Sequence, residues 1–242
     1  MPSAGTAVAL VTGAAGGLGR ATVARFRDRG LRVVATDLAL ADIPCGAPMT
    51  VASLDVTDEA AVVATVARVL ETHGRLDHVV HLAGAAGSGP IDSVSRAEWQ
   101  RLIDVNLTSA FLLAKAVHTA LAATRGTLTL TSSTNGINGG SGLSGPAYAV
   151  AKAGIINLTR YLAKEWAGEG IRVNCLAPGP ITTPMVTGRF TPDVLEKLRT
   201  AVPLGELGEP AHVAHAIDYL TSSAAAFVTG TVMNISGGML LD

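Results

Sequence analysis

Short, continuous apolar runs alternate with helical patterns from one end of the chain to the other. Ala7 to Val11, Leu31 to Thr36, Thr50 to Leu54, Leu76 to Leu82, Thr127 to Thr131, Ile171 to Leu176 and Thr231 to Ile235 each read as strands. Their apolar residues do not alternate with polar ones, which is the pattern of strands buried on both faces. Between them lie helical stretches: Ala21 to Asp28, stopped by Gly30; Thr57 to about His73, with Asp58 and Glu59 in the first turn; Ala97 to Ala123; and a helix opened by Pro146 that runs to about Trp166. Acidic residues favour a helix start and proline suits its first position. This order predicts an α/β class fold: one doubly wound domain over residues 1–242, a seven-stranded parallel sheet with helices on both faces. The least regular stretch, residues 178–209, is expected to cover the crevice at the strand ends.

Two helices carry more apolar surface than one sheet face requires. Residues 99–123 and 148–166 are apolar on more than one side, whereas a covering helix needs a single stripe. The surplus predicts a subunit interface and a homotetramer or homodimer.

Composition narrows the class. Of 242 residues, 48% are hydrophobic and 15% charged, which supplies a large core and excludes disorder. The net charge of −1 gives no electrostatic case for nucleic acid or an anionic membrane. Cys45 and Cys175 fit neither a disulfide framework nor a redox pair. The N-terminus, Met1 to Gly5, has no basic region before an apolar one, so a cytoplasmic protein is expected.

The first strand runs into Thr12-Gly13-Ala14-Ala15-Gly16-Gly17-Leu18-Gly19. Glycines let backbone approach a pyrophosphate, and the helix just beyond offers free N–H groups and partial positive charge. Gly13-xxx-Gly17-x-Gly19 is looser than the standard dinucleotide fingerprint, but the turn stands in the right place, between a strand and a helix. An acid, Asp37, ends the next strand 18 residues past Gly19. A carboxylate there accepts from both ribose hydroxyls and repels a 2′-phosphate, so NAD(H) is expected over NADP(H) in a Rossmann-type site. Taken alone, Asp37 reads better as a solvated residue after a strand.

Tyr148 and Lys152 are four apart on a strong helix and share one face. Ser132 and Ser133 end the fifth strand, where ligand crevices open. Asn106 sits inside a long apolar helix, where asparagine competes for backbone hydrogen bonds; it marks either a kink or a functional group. His78 and His81 lie on a strand and face opposite ways, and His212 and His215 lack a third ligand nearby, so no metal is expected.

With these residues in place, the whole length from Thr12 to Gly238 resembles the classical short-chain dehydrogenase/reductase family. The turn from Thr12 to Gly19, with Gly13, Gly17, Leu18 and Gly19, matches its cofactor motif, and Asp55-Val56 its adenine-contacting pair. Asn106, Ser133, Tyr148 and Lys152 match its catalytic tetrad. Pro178-Gly179-Pro180-Ile181-Thr182-Thr183 matches the segment whose Ile181 and Thr183 would touch the nicotinamide end, and Ala83 and Gly84 would contribute backbone contacts. The resemblance implies interconversion of a secondary alcohol and a ketone. Tyr148 would exchange the proton, its pKa lowered by the Lys152 ammonium; Lys152 would also bind the nicotinamide ribose. Ser133 would hold the substrate oxygen, and Asn106 a water behind Lys152.

Four departures from the family pattern stand out. Ser133 precedes Tyr148 by 15 residues, slightly more than usual, and Ser132 is an alternative to it. Leu82 replaces the usual Asn before Ala83-Gly84; Glu206 stands where a basic residue is common and Ser236 where Asp is. The substrate pocket is expected to draw on Ser133, Asn135, Leu143, Tyr148, Met185 and Val186, with a small-molecule alcohol or ketone as partner. Two other readings are a 3-oxoacyl-[acyl-carrier-protein] reductase, which the family usually runs on NADPH, and a non-catalytic NAD(H) sensor. Asp37, with Glu165 and Glu169, argues against the first, and the intact tetrad against the second.

Overall fold

Seven parallel strands form one sheet: β1 (Val8–Thr12), β2 (Arg32–Asp37), β3 (Met49–Ser53), β4 (His78–His81), β5 (Thr127–Thr131), β6 (Arg172–Pro178) and β7 (Val232–Ile235). The computed structural model describes residues 5–43 and 49–241, so the expectations resting on Met1 to Ala4 and on Cys45 lie outside the described residues. The strand order is β3-β2-β1-β4-β5-β6-β7. It reverses between β1 and β4, and a crevice opens there beyond the strand ends. The register sets Thr12 of β1 beside Thr36 of β2 and His81 of β4. The glycine turn, Asp37 and Leu82 therefore meet at one edge of that crevice.

The strands are apolar throughout because both faces are covered. Every residue of β1 and of β5 is buried, whereas β3 and β7, at the two edges, are only partly so. Helices α1 (Gly17–Asp28) and α9 (Pro210–Thr221) cover one face, over Val11, Val23, Phe26, Val33 and Ile217. Helices α2 (Glu59–His73), α4 (Ser109–Thr124) and α6 (Pro146–Trp166) cover the other, over Leu10, Val66, Leu113, Leu128 and Ile155. Full burial of one such side chain is worth about 1.5–3 kcal/mol. Arg25 and Arg29 of α1 both grip Asp218 of α9, at 2.6 and 2.7 Å, and tie the first face together.

Several elements differ from the sequence expectation. Helix α1 starts at Gly17, four residues before Ala21, because the extended Gly16 is its N-cap and the glycine turn itself forms the first helical turn. The stretch expected as one helix from Ala97 to Ala123 is α3 (Arg96–Ile103), then a π-helical turn over Asp104–Thr108, then α4. By length and composition alone, Arg96–Thr124 is long and apolar enough to cross a membrane. Its Leu113, Val117 and Leu121 are fully buried against the sheet, which accounts for the apolarity. The glycine-rich loop before α6 contains a short helix, α5 (Asn135–Asn138). The segment 178–209 holds α7 (Pro184–Thr187) and α8 (Pro192–Thr200), and a bridge between Ile181 and Gly208 ties its two ends together.

Candidate active site

The turn after β1 is a backbone cradle that only glycine can build. Gly13 has a φ of +70°, and a Cβ there would lie 2.5 Å from the Ala83 nitrogen. A Cβ on Gly17 would lie 2.8 Å from the Thr183 methyl, and one on Gly19 would overlap the Gly13 carbonyl. Above this cradle lies a cavity of ≈ 450 Å³ lined by Gly13, Gly17, Leu18, Gly19 and Asp37. Gly84, Asn106, Tyr148, Lys152, Pro178, Gly179, Ile181 and Thr183 line it too. A side lobe of ≈ 190 Å³ is lined by Asp37, Leu54, Asp55, Val56 and Ala83. Every residue expected to contact a dinucleotide lies on these two walls.

Asp37 is fixed rather than solvated. Its Oδ2 accepts from the Ala15 N–H at 3.0 Å and its Oδ1 from the Ala39 N–H at 3.2 Å. Asp55 takes the Thr57 hydroxyl and N–H at 2.6 and 2.9 Å, and these bonds hold its carboxyl below the usual range. Arg20 also lines the large cavity, its Nε donating to the Ala15 carbonyl at 2.8 Å. The first turn of α1 thus brings Arg20 back beside the glycine turn. Leu82 continues the ladder through its N–H to the Thr12 carbonyl, at 3.1 Å, and its side chain lines both lobes. Thr131, at the end of β5, also lines the large cavity, and its buried Oγ1 has no hydrogen-bond partner. The glycine cradle, the fixed Asp37 and this orphaned hydroxyl fit a dinucleotide.

Tyr148 and Lys152 project from α6 into the crevice. Pro146 opens that helix behind Gly145, whose φ is +72°. A buried Lys152 sends its Nζ to the Thr131 carbonyl at 2.8 Å, while the Ser132 hydroxyl donates to the Lys152 carbonyl at 2.7 Å. Ser132 is thus spent on holding the helix to β5, and Ser133 is the serine that reaches Tyr148. The Ser133 Oγ accepts from the Asn135 N–H at 3.2 Å. Burial lowers the Lys152 ammonium to about 8. Burial raises the Tyr148 phenol, against the opposing effects of a Ser133 hydrogen bond and the Arg189 guanidinium. This corrects the expectation of a lysine-lowered phenol. The Lys152 ammonium bonds the Thr131 carbonyl and lies 5.6 Å from the centre of the Tyr148 ring, so burial outweighs it.

Asn106 lies in the π-turn, where one extra residue per turn rotates a side chain off the helix's regular face. Its Nδ2 donates to the Ala85 and Leu102 carbonyls at 2.9 and 3.0 Å, and its Oδ1 accepts from the Ala85 N–H at 3.3 Å. The helix interruption is therefore real, and it clamps the loop after β4 across the crevice floor. A second cavity, of ≈ 270 Å³, adjoins the first. Asn135, Leu143, Met185 and Val186 line it as expected and Tyr148 lines both cavities, whereas Ser133, expected there too, lines neither. Arg189 lines it too; nothing in the sequence pattern singles out that residue.

The histidines serve the fold. His81 bridges the Thr12 and Ser109 hydroxyls at 2.7 and 3.0 Å, and burial holds its pKa down at about 3. His78 meets the Thr127 hydroxyl at 2.9 Å on the opposite face, and His212 accepts the Glu209 N–H at 3.1 Å to cap α9. Cys175 is buried, its thiol pushed up to about 11, and is inert by that measure. Among the described residues no three His, Cys, Asp or Glu side chains gather to hold a metal.

A nucleotide cradle joined through a Tyr-Ser-Lys cluster to a second cavity defines a class of oxidoreductase. A family model described as enoyl-(acyl carrier protein) reductase matches residues 13–240. The chain belongs to the classical short-chain dehydrogenase/reductase family, whose cofactor is a nicotinamide dinucleotide. It is 40% identical to cis-4-hydroxycyclohexanecarboxylate dehydrogenase of Sinomonas cyclohexanicum, over 96% of this chain and 95% of that one. It is 36% identical to 3-oxoacyl-[acyl-carrier-protein] reductase of Thermotoga maritima, over 97% and 98% of the two chains. The crystal structure of a short-chain dehydrogenase/reductase-family oxidoreductase from Burkholderia thailandensis superposes with a TM-score of 0.89 at 35% identity, covering 97% of this chain and 93% of that one.

Proposed function

We propose that the protein is an NAD(H)-dependent oxidoreductase that interconverts a secondary alcohol and a ketone, with Tyr148 as the general acid/base. The observation that carries the reading is the place of Tyr148. It alone among the tetrad lines both the dinucleotide cavity and the second cavity, where a substrate would sit. Gly13, Gly17, Leu18 and Gly19 would hold the pyrophosphate, Asp37 the adenosine ribose, Asp55 and Val56 the adenine, and Ile181 and Thr183 the nicotinamide end. A nicotinamide held there supplies or takes the hydride.

The chain's own residues handle the proton. Burial keeps the Tyr148 phenol protonated at neutral pH, so it is ready to protonate the oxygen of a ketone being reduced. In the oxidation direction it must first give up that proton, and Lys152 is the cation close enough to favour the phenolate. Ser133 fixes the substrate oxygen beside the phenol. Asn106 is a positioning residue: it holds Ala85 and Gly84, and so keeps the floor under Lys152. A fixed Asp37 supports NAD(H), because a 2′-phosphate there would meet a carboxylate that two backbone N–H groups already lock in place. Arg20 is the one feature of this wall that favours the alternative cofactor.

The chain works as one catalytic domain in the cytoplasm and acts on a small molecule. Phe111 on α4 and Val150 and Tyr161 on α6 are 51%, 50% and 62% exposed, an apolar surface that a second copy would cover in a dimer or tetramer. The reading is tested by assaying a panel of secondary alcohols and ketones with NAD(H) and NADP(H). NAD(H)-linked turnover is expected; equal efficiency with NADPH overturns the cofactor assignment, and no turnover on any pair favours a cofactor-binding sensor. Turnover confined to carrier-bound 3-oxoacyl chains favours the acyl-carrier reading instead.

A further inference from the structure

The second cavity contains a single charge. Its lining is apolar or neutral, with Asn135, Asn138 and Ser141 among the polar members, and Arg189 is its only charged residue. That side chain is half-buried just beyond α7. Its Nη2 donates to the Gly87 carbonyl and, at 2.9 Å, to the Leu143 carbonyl, so it is held between the loop after β4 and the loop before α6. The guanidinium carbon lies 5.3 Å from the centre of the Phe190 ring. A guanidinium carries five N–H donors in a rigid fork. The donors on Nε and Nη1 make no hydrogen bond among the described residues, and no carboxylate there pairs with Arg189. On α8, Glu196 is held by Arg199 at 2.5 Å, and the other acid, Asp193, forms no ion pair with Arg189 among the described residues.

A cation partly withdrawn from water, with a fixed orientation and no counter-ion, is a prepared anion site. Both two-bond forks of a guanidinium use Nη2, which is spent here, so a carboxylate would accept a charge-assisted bond from Nε–H or Nη1–H. Because Nη2 is already anchored, little side-chain freedom remains to be lost on binding. The same guanidinium is close enough to act on the Tyr148 phenol. An anion bound at it therefore lies within a small molecule's length of the proton-exchanging group. The cavity volume, at the small end for ligand sites, suits a compact molecule.

We propose that Arg189 is a specificity-determining residue that selects substrates carrying a carboxylate, so that the alcohols and ketones taken here are compact hydroxy acids and oxo acids. This rests on the reading of the second cavity as the substrate end of an oxidoreductase. The test separates the two claims by measuring binding apart from turnover.

Cyclohexanecarboxylate and its neutral isostere cyclohexanecarboxamide are titrated calorimetrically into the wild type, Arg189→Met and Arg189→Lys, with and without NADH. The wild type is expected to bind the carboxylate at least about tenfold more tightly than the amide, the yield of one charge-assisted hydrogen bond. Arg189→Met brings that ratio close to one, and Arg189→Lys keeps part of it. Amide affinity is the internal check that each variant is folded. In parallel, kcat/KM is compared for 4-oxocyclohexanecarboxylate and 4-oxocyclohexanecarboxamide, with the difference expected in KM. Equal binding of acid and amide by the wild type, or a preference that survives Arg189→Met, overturns the proposal. Reduction of neutral ketones with no carboxylate preference sinks this inference and leaves the oxidoreductase reading standing. Carboxylate preference with no turnover of any ketone does the reverse.

Discussion

The two ends of the crevice are built on different principles. The cofactor end is backbone: Gly13, Gly17 and Gly19 clear space, and Asp37 is locked by the Ala15 and Ala39 N–H groups. The proposed substrate end is side chains on short helices and loops, Asn135 and Leu143 from one segment and Met185, Val186 and Arg189 from another. Where backbone makes the site, few substitutions are tolerated and the ligand is common to many enzymes. Where side chains on loops make it, residue identities are free to change and selectivity can change with them. Tyr148 stands at the join, on the long helix α6.

The contrast can be broken or sharpened by experiment. The largest effect is expected at the join. Tyr148→Phe should lower turnover by about 10³-fold or more, the upper range for losing a general acid/base, while NADH still binds by fluorescence titration. Turnover within tenfold of wild type would remove Tyr148 from the mechanism.

Next comes the backbone cradle. Gly13→Val combines a positive φ with a clash on the Ala83 backbone and should cost about 2–4 kcal/mol in urea melts. Leu143→Ala at the half-exposed substrate end should cost within about 0.5 kcal/mol yet alter the ranking of substrates. Similar losses of stability at the two positions would erase the distinction between the two ends.

Asp37→Ala should shift the ratio of NADPH to NADH efficiency by about 10- to 100-fold toward NADPH, equivalent to about 1.4–2.8 kcal/mol of lost discrimination. An unchanged ratio points to Arg20 as the governing residue. A pH profile gives a smaller effect. Lys152 is lowered to about 8, so it is charged below that pH and neutral above it. Ketone reduction, which draws on that cation beside Tyr148, should fall by about tenfold per unit above the break. In Lys152→Met the residual rate should show no such break.

A separate effect belongs to the fold. His81 is held at about 3 against an ordinary 6.5, so below 6.5 the unfolded chain takes up a proton that the folded chain refuses. Its stabilisation is complete above that pH and is lost as pH falls toward the folded value. Thermal melts should therefore decline between pH 6.5 and 4, and less steeply in His81→Gln. A variant that tracks the wild type would place the acid sensitivity elsewhere.

Much of this was legible in the chain before folding. The strands announce themselves as unbroken apolar runs because both sheet faces are covered. The glycine turn is legible because positive φ and close backbone approach admit almost no other residue. Tyr148 and Lys152 were paired by helical spacing. The choice between Ser132 and Ser133 was not, since both end β5; it took the Ser132 bond to the Lys152 carbonyl to separate them. Asn106 reads in sequence as either a kink or a functional group, and the structure shows the interruption as a π-turn that sequence periodicity does not encode.

What the sequence determined by itself is the local and the backbone-limited: strand and helix order, the cradle at Gly13 to Gly19, and the helical register of Tyr148 with Lys152. These follow from sterics and periodicity over a few neighbouring residues. What only the tertiary structure decided depends on segments far apart in the chain. Burial of Tyr148 outweighs the lysine four residues away and raises the phenol rather than lowering it. Arg189 meets Gly87 and Leu143, 102 and 46 residues distant, and only that meeting turns an ordinary surface arginine into the one charge lining the second cavity. Desolvation and the lack of a counter-ion are properties of surroundings, and no window of sequence contains them.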